Sequence, residues 1–301
     1  MISRKLAAVW EGWEKFWFEA EGVERMTLFR RLAAILMLGS YLVRSIDLEL
    51  YFGENGVARM AVLPEIMDPK YKLSLLTLFP GDTAMWVFNG IFLGALLLLV
   101  VGIWPRWASV LAAVIHISFL HRNQSAGYGV DTIISFYFLY FALADWKPGS
   151  LWTSMAYRLC QIQLCIIYAY AGVHKLKGTL WWKGEALWAA LANWQLARWD
   201  FSWAAHVPIL LIIATFATLI WEVYFPVLIW IKPLRPWMLF FGAVFHLGIA
   251  LALNIPFFAA LMVFTYALFL EEDQASRVNR RMESLRFFRK VPVTTADTVI
   301  V

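Results

Sequence analysis

The sequence predicts an all-α, polytopic transmembrane helical bundle of roughly eight spans, preceded by an amphipathic helix on the membrane surface. Three observations predict it. Apolar residues make up 61% of the 301-residue chain, and charged residues only 16%. An average soluble domain has about 45–50% and about 25%. A soluble globule of this size could not hide so much apolar surface, because much of its skin must face water. The apolar residues also come as continuous runs near the roughly 20 residues that cross a bilayer. They do not alternate as barrel strands would.

The elements follow in order. Residues 1–25 mix charges with Trp10, Trp13, Phe16 and Trp17 and never reach a long apolar core. That pattern predicts an interfacial helix rather than a signal peptide. The first span covers 27–48, with Arg30 and Arg31 near its start and Arg44 and Asp47 near its far end. The three-residue spacing puts Arg44 and Asp47 on one face, where they can neutralise each other. The second span, 83–105, begins beyond Asp82 and carries no charge until Arg106. The third, 107–120, leads into the polar turn His121-Arg122-Asn123-Gln124-Ser125-Ala126-Gly127-Tyr128-Gly129-Val130-Asp131. The fourth, 130–145, is rich in Phe and Tyr. The fifth runs over 156–176, and the sixth, 201–231, holds Glu222 deep inside. The run 237–270 has no formal charge and exceeds one span, so Asn254 and Pro256 divide it in two. The chain thus reads as an interfacial helix (1–25), a transmembrane domain (26–272) and a cytoplasmic tail (273–301).

Basic residues outnumber acidic ones by 26 to 21. They gather in the N-terminal helix, near Arg106, Lys147, Lys232 and Arg235, and in the tail from Arg277 to Lys290. The positive-inside rule then places both termini in the cytoplasm and residues 49–82, 121–131 and 174–202 outside. Lys175, Lys177 and Lys183 run against that bias. No Lys/Arg patch stands clear of apolar sequence, so nucleic acid is not expected as a partner and the lipid bilayer is. Cys160 and Cys165 sit five apart in one apolar run and read as small apolar residues. No HExxH or Cys/His metal spacing, Walker A, GxGxxG or GxSxG occurs, and no metal is expected.

Ionisable residues within spans are costly and therefore candidates for function. Gln161, Tyr168 and Lys175 are seven apart and form one polar stripe on the fifth span. Gln163, Tyr170 and Lys177 form the neighbouring one. Spacing alone does not choose between them. Glu222 must be paired, protonated or wet, while a lone His246 is more often structural. In the polar turn, Arg122, Asn123, Tyr128 and Asp131 are denser than a hairpin needs.

The run Tyr168-Ala169-Tyr170-Ala171-Gly172-Val173-His174-Lys175-Leu176, followed by Trp181-Trp182-Lys183-Gly184, resembles the membrane core of vitamin K-dependent γ-carboxylase. It equally resembles bacterial proteins with the same horizontally transferred transmembrane (HTTM) domain. Phe92-Leu93-Gly94-Ala95 before Val110-Leu111, the polar turn, Glu222 to Pro226, and Phe245-His246-Leu247 extend the resemblance over about residues 25–272. It implies a quinone-driven enzyme core in a cell membrane, here a bacterial inner membrane. A reduced, vitamin K-like quinone would be the cofactor. Lys175 would be the base that deprotonates it, and His246 would fall on a family histidine. Gln161, Tyr168, Arg122, Asn123, Tyr128, Asp131 and Glu222 would line the cavity. The animal enzyme carries a large lumenal domain after its spans, and this chain ends about 30 residues after the last one. Single-domain bacterial members are linked to maturation of secreted toxic peptides. The resemblance therefore also implies a small secreted peptide, or its processing machinery, as partner. The competing expectation is a non-catalytic accessory factor for maturation or export of such a peptide. A transporter is disfavoured by the lack of an inverted repeat.

Overall fold

The computed structural model describes residues 2–19, 21–59 and 74–285. The basic residues Arg286, Arg289 and Lys290 and part of the loop 49–82 lie outside them. Ten helices of ten residues or more appear among the described residues. They are α1 (Ile2–Phe18), α2 (Val23–Arg44), α3 (Asp82–Val101), α4 (Pro105–Arg122), α5 (Gly129–Leu143), α6 (Leu151–Lys177), α7 (Pro208–Leu228), α8 (Arg235–Ala252), α9 (Pro256–Thr265) and α10 (Glu272–Ser284). No strand occurs among the described residues; Ala197 and Leu253 form an isolated antiparallel bridge.

Local chemistry explains the boundaries. A proline opens α4, α7, α8 and α9 within the first two positions, where its missing N–H costs nothing. The expected sixth span therefore starts at Pro208 rather than at residue 201, and 202–206 form a separate 3-10 turn. Gly102, at φ 89°, ends α3 in the left-handed conformation. The Ser150 hydroxyl caps α6 by accepting from the Thr153 N–H.

Four stretches are long and apolar enough to cross a membrane: Val23–Phe52, Asp82–Val101, Pro208–Leu228 and Arg235–Ala252. Gly129–Leu143 and Pro256–Phe269 are shorter apolar helices. This is a membrane protein by composition and by helix length together. The eight predicted runs correspond to α2–α9, but only these four meet the length and apolarity of a full crossing.

Two halves pack side by side. In the first, α2 through α5 pack in sequence around Phe29, Tyr41, Phe92, Phe119, Tyr137, Phe138 and Phe141, all fully buried. In the second, α6 packs on α7, and α8 on α9, while α2 touches α6 and α9. At Gly172 a Cβ would stand 3.1 Å from the Val223 backbone, so α6 and α7 approach there as only glycine allows.

One end of the bundle is tied by ions. Arg25 pairs with Glu272 at 3.0 Å and Arg31 with Glu283 at 2.7 Å. Arg31 also donates to Asn279, whose amide donates to Glu24. These bonds clamp α10, the first part of the expected tail, onto α2. Arg158 pairs with Glu21 and donates to the Phe16 carbonyl, seating the end of α1 on α6. The greasy side of α1 is divided: Phe16 meets Trp230 at a 5.6 Å ring distance, while Trp10 and Trp13 are exposed. Exposed tryptophans collect at this end (Trp104, Trp107, Trp152, Trp237) and at the other (Trp86, Trp182, Trp194, Trp199, Trp203). Two such belts are what a bilayer's two interfaces select.

Candidate functional site

The second half gathers a polar cluster in an otherwise apolar bundle. Lys175, three residues after Gly172 on α6, forms an ion pair with Glu222 on α7. The close approach at Gly172 brings the two side chains within reach. The ammonium also lies over the Trp181 ring at 5.1 Å. The Lys175 side chain keeps 22% of its surface exposed, while Glu222 keeps 5%. The lysine is thus the accessible member. Pro226 follows Glu222 by four residues inside α7 and has no N–H to give the Glu222 carbonyl.

A second set of groups adjoins the pair. The Tyr168 hydroxyl lies 2.7 Å from His246 Nε2 and 2.7 Å from the Tyr266 hydroxyl. This chain joins α6, α8 and the end of α9. Trp221 and Phe225 pack edge-on and tilted against Tyr168. A Cβ on Gly242 would sit 2.2 Å from the Tyr266 hydroxyl, so the absent side chain makes room for that phenol. Two buried polar atoms here have no protein partner: His246 Nδ1 and Trp221 Nε1. Buried polar atoms normally have one, so these two are left able to bond a water or a ligand group. Trp221 and Phe245 also line an apolar crevice of about 540 Å³ between α7 and α8.

The structure separates the other predicted residues. Gln161 shares the stripe of Tyr168 and Lys175 but lies 14 residues from Lys175, about 21 Å along the helix. It donates to the Tyr157 hydroxyl and the Leu268 carbonyl and accepts from Arg158. Arg122 donates to the carbonyls of Ala58 and Gly53 at 2.6 and 2.7 Å, and Asn123 donates to the Tyr51 carbonyl. Both hold the 51–58 segment. Asp131 accepts from Arg44 at 2.7 Å and from the Tyr128 N–H at 3.0 Å. Arg44 is therefore neutralised from α5, 87 residues away in sequence, and the expected pairing with Asp47 is corrected. Gly129, beside Tyr128, comes near the second cluster through Phe258, whose ring a Cβ at Gly129 would meet at 3.9 Å and which itself packs on His246. Lys177 and Tyr170, the other stripe, are exposed.

Three contributors were not anticipated. Tyr266 belongs to the second cluster. Tyr41 and His116 belong to a cluster in the first half: His116 Nδ1 lies 2.9 Å from the Tyr41 hydroxyl and Nε2 3.0 Å from the Asp131 carbonyl. A tyrosine or histidine inside an apolar run gave no sign of its partner. Among the described residues no group of three or more His, Cys, Asp or Glu could hold a metal.

Residues 147–274 match the family model of the HTTM domain, a membrane-associated family related to the vitamin K-dependent carboxylase. Tyr168, Lys175, Glu222, His246 and Tyr266 all fall inside the match, and Tyr41, Arg44, His116 and Asp131 fall outside it. No curated protein and no solved structure matches the chain.

Proposed function

We propose that this chain is a multi-pass membrane enzyme core that binds a reduced quinone beside Lys175 and uses it to drive modification of a peptide. The observation that carries the reading is the Lys175–Glu222 pair, its lysine partly exposed and its glutamate buried, next to the Tyr168–His246–Tyr266 chain and an apolar crevice. The residues fit such a group. A planar phenolic ring finds indole faces in Trp181 and Trp221, a cation in Lys175 and unpartnered donors or acceptors in His246 and Trp221. When bound, a hydroquinone supplies reducing power and an acidic O–H.

The protein's part is proton handling. The pair can exist as ammonium and carboxylate, or as amine and carboxylic acid, with the same net charge. In the second form Lys175, in front, offers a free lone pair while Glu222, behind it, holds the resident proton. Accepting a phenolic proton leaves an ammonium beside the phenolate, and the attraction between the two offsets part of the cost of creating charge in a poorly solvated site. Tyr168 holds the His246 ring by Nε2 and leaves Nδ1 free to hydrogen-bond the ligand. The enclosing Trp221, Phe225 and Phe245 keep bulk water away. The Lys and Arg residues gathered at the α10 end of the bundle, among them Arg106, Lys147, Lys232 and Arg235, support an orientation with both termini cytoplasmic and Lys175 near the outer side.

The test is Lys175→Arg. Arginine preserves the ion pair with Glu222 but does not give up its proton in proteins. Menaquinol oxidation by the purified protein in proteoliposomes should fall by about 10²–10⁴-fold, the usual contribution of a general base, with thermal stability retained. Undiminished turnover in Lys175→Arg would overturn the base role. Mass spectrometry of co-purified lipid should show a quinone. If it shows none and the protein turns over no quinol, the accessory-factor reading takes its place.

A further inference from the structure

At the outer end of α7 and α8, the loop that follows α6 folds back over the bilayer edge. The Arg198 N–H donates to the Ala252 carbonyl, the Asn254 N–H to the Leu196 carbonyl, and the Trp199 indole to the Leu251 carbonyl. These bonds fix a pocket of about 480 Å³ whose wall includes Trp188, Trp194, Trp199, Arg198 and Asp200. Trp194 and Trp199 are largely exposed, at 83% and 65%. Leu191 and Phe201 belong both to this pocket and to a second, apolar one of about 320 Å³ between α7 and α8. A polar, aromatic mouth therefore adjoins an apolar slot.

We infer that this composite site holds one zwitterionic phospholipid, its headgroup in the Arg198–Asp200–tryptophan mouth and one acyl chain in the α7–α8 slot. The charges are complementary. Arg198 and Asp200 form no ion pair with each other among the described residues. Arg198 presents guanidinium N–H groups suited to a phosphodiester. Asp200 accepts from the Ser202 N–H and hydroxyl at 2.8 and 3.2 Å, which fixes its carboxylate and holds its pKa below the usual carboxylate range. Together with the indole faces it suits an ammonium. An anionic headgroup without an ammonium would leave Asp200 facing negative charge. The slot has free room: a Cβ at Gly248, one of its lining residues, meets no atom within 4 Å. The slot shares Ala214, Thr218, Val244 and Phe245 with the crevice beside Trp221, whereas the headgroup mouth shares no residue with it, and the lipid assignment does not rest on the quinone reading.

The experiment is native mass spectrometry of the detergent-purified full chain with phosphatidylethanolamine, phosphatidylglycerol or free phosphoethanolamine. Phosphatidylethanolamine should be retained about tenfold better than phosphatidylglycerol, as loss of a charge-assisted contact predicts. Free phosphoethanolamine should bind far more weakly than the intact lipid. Arg198→Gln keeps the loop's backbone bond to Ala252 and Asp200→Asn keeps an acceptor for the Ser202 N–H, and each should cost about tenfold. Gly248→Leu puts a side chain into the slot at a position where the Cβ meets no atom within 4 Å and is a better helix former, so it should fold and still lose the lipid. Equal retention of phosphatidylglycerol, or unchanged binding in all three variants, would overturn the assignment.

Discussion

The two halves of the bundle carry the same kinds of group in different surroundings. The first half has a tyrosine on a histidine (Tyr41, His116) and a cation on a carboxylate (Arg44, Asp131). The second has Tyr168 on His246 and Lys175 on Glu222. In each, the tyrosine and the cation come from the first helix of the half and the histidine from the third. The first set is sealed: His116 stacks on Phe92 and meets Phe138, and Tyr41, His116 and Asp131 are almost wholly buried. The second set adjoins the α7–α8 crevice through Trp221 and Phe245, which line the crevice and pack on Tyr168 and His246. Of the central window of Val23–Phe52, 56% is buried, against 28% for α7 and 17% for α8. Both His116 nitrogens are bonded, whereas His246 keeps one free. Asp131 Oδ1 also lacks a protein partner, so enclosure is what separates the two sets: enclosed polar groups hold helices together, while partly satisfied ones near a crevice are free to meet a ligand. The comparison assigns stability to the first cluster and chemistry to the second.

The sharpest way to break it is Asp131→Ala. Arg44 would remain a largely enclosed charge without its carboxylate, at a cost of about 3–5 kcal/mol. Thermal unfolding in detergent should show a large drop or no folded protein. A mild effect would mean that the first cluster is not the brace described here.

Next comes Gly172→Ala. The added Cβ meets the Val223 backbone at 3.1 Å, and two main chains cannot yield as a side-chain tip can. Overpacking of this kind costs about 1–3 kcal/mol. It should also spread α6 from α7 and weaken the Lys175–Glu222 contact, so quinol turnover should fall further than stability does. Gly39, where a Cβ meets nothing within 4 Å, should tolerate alanine.

The histidines give a paired test. His116→Phe removes two hydrogen bonds from a closed site and should destabilise by about 1–3 kcal/mol. His246→Phe leaves the Tyr168 hydroxyl bonded to Tyr266, so the expected loss is about 1 kcal/mol or less. Turnover should show the opposite order, falling in His246→Phe while the folded fraction of His116→Phe stays active. Equal behaviour in both assays would erase the distinction between the halves.

How much of this was legible follows from the range of each signal. Helices α2–α9 each fall on a predicted apolar run because a continuous run carries its own evidence, and Asn254 and Pro256 mark the α8–α9 break within a few residues. Lys175 and Glu222 were legible as candidates because a charge in an apolar segment stands out alone. Their pairing was not, since it depends on how α6 packs against α7 at Gly172. Arg44 shows the same limit. Its near neighbour Asp47 is the pairing that spacing favours, but packing brings Asp131 closer. Tyr41, His116 and Tyr266 gave no local signal at all, because their roles exist only once three helices meet.

The smallest expected effect is also the one that isolates helix face from residue type. Lys177 stands two residues beyond Lys175, about 200° further around α6 at 3.6 residues per turn. That rotation carries it from the side facing Glu222 to the exposed side shared with Tyr170, whose exposure is 67%. The polar stripe through Lys177 therefore starts inside, at Gln163 bonded to Tyr140, and ends in the lipid and solvent boundary. An exposed lysine with no enclosed partner contributes within about 0.5 kcal/mol. Lys177→Ala should therefore leave unfolding temperature and quinol turnover close to the parent's, while Lys175→Arg, which retains even the positive charge, loses turnover. If both variants lose activity alike, the amines serve only to anchor the end of α6 at the interface. In that case the second half is a brace like the first.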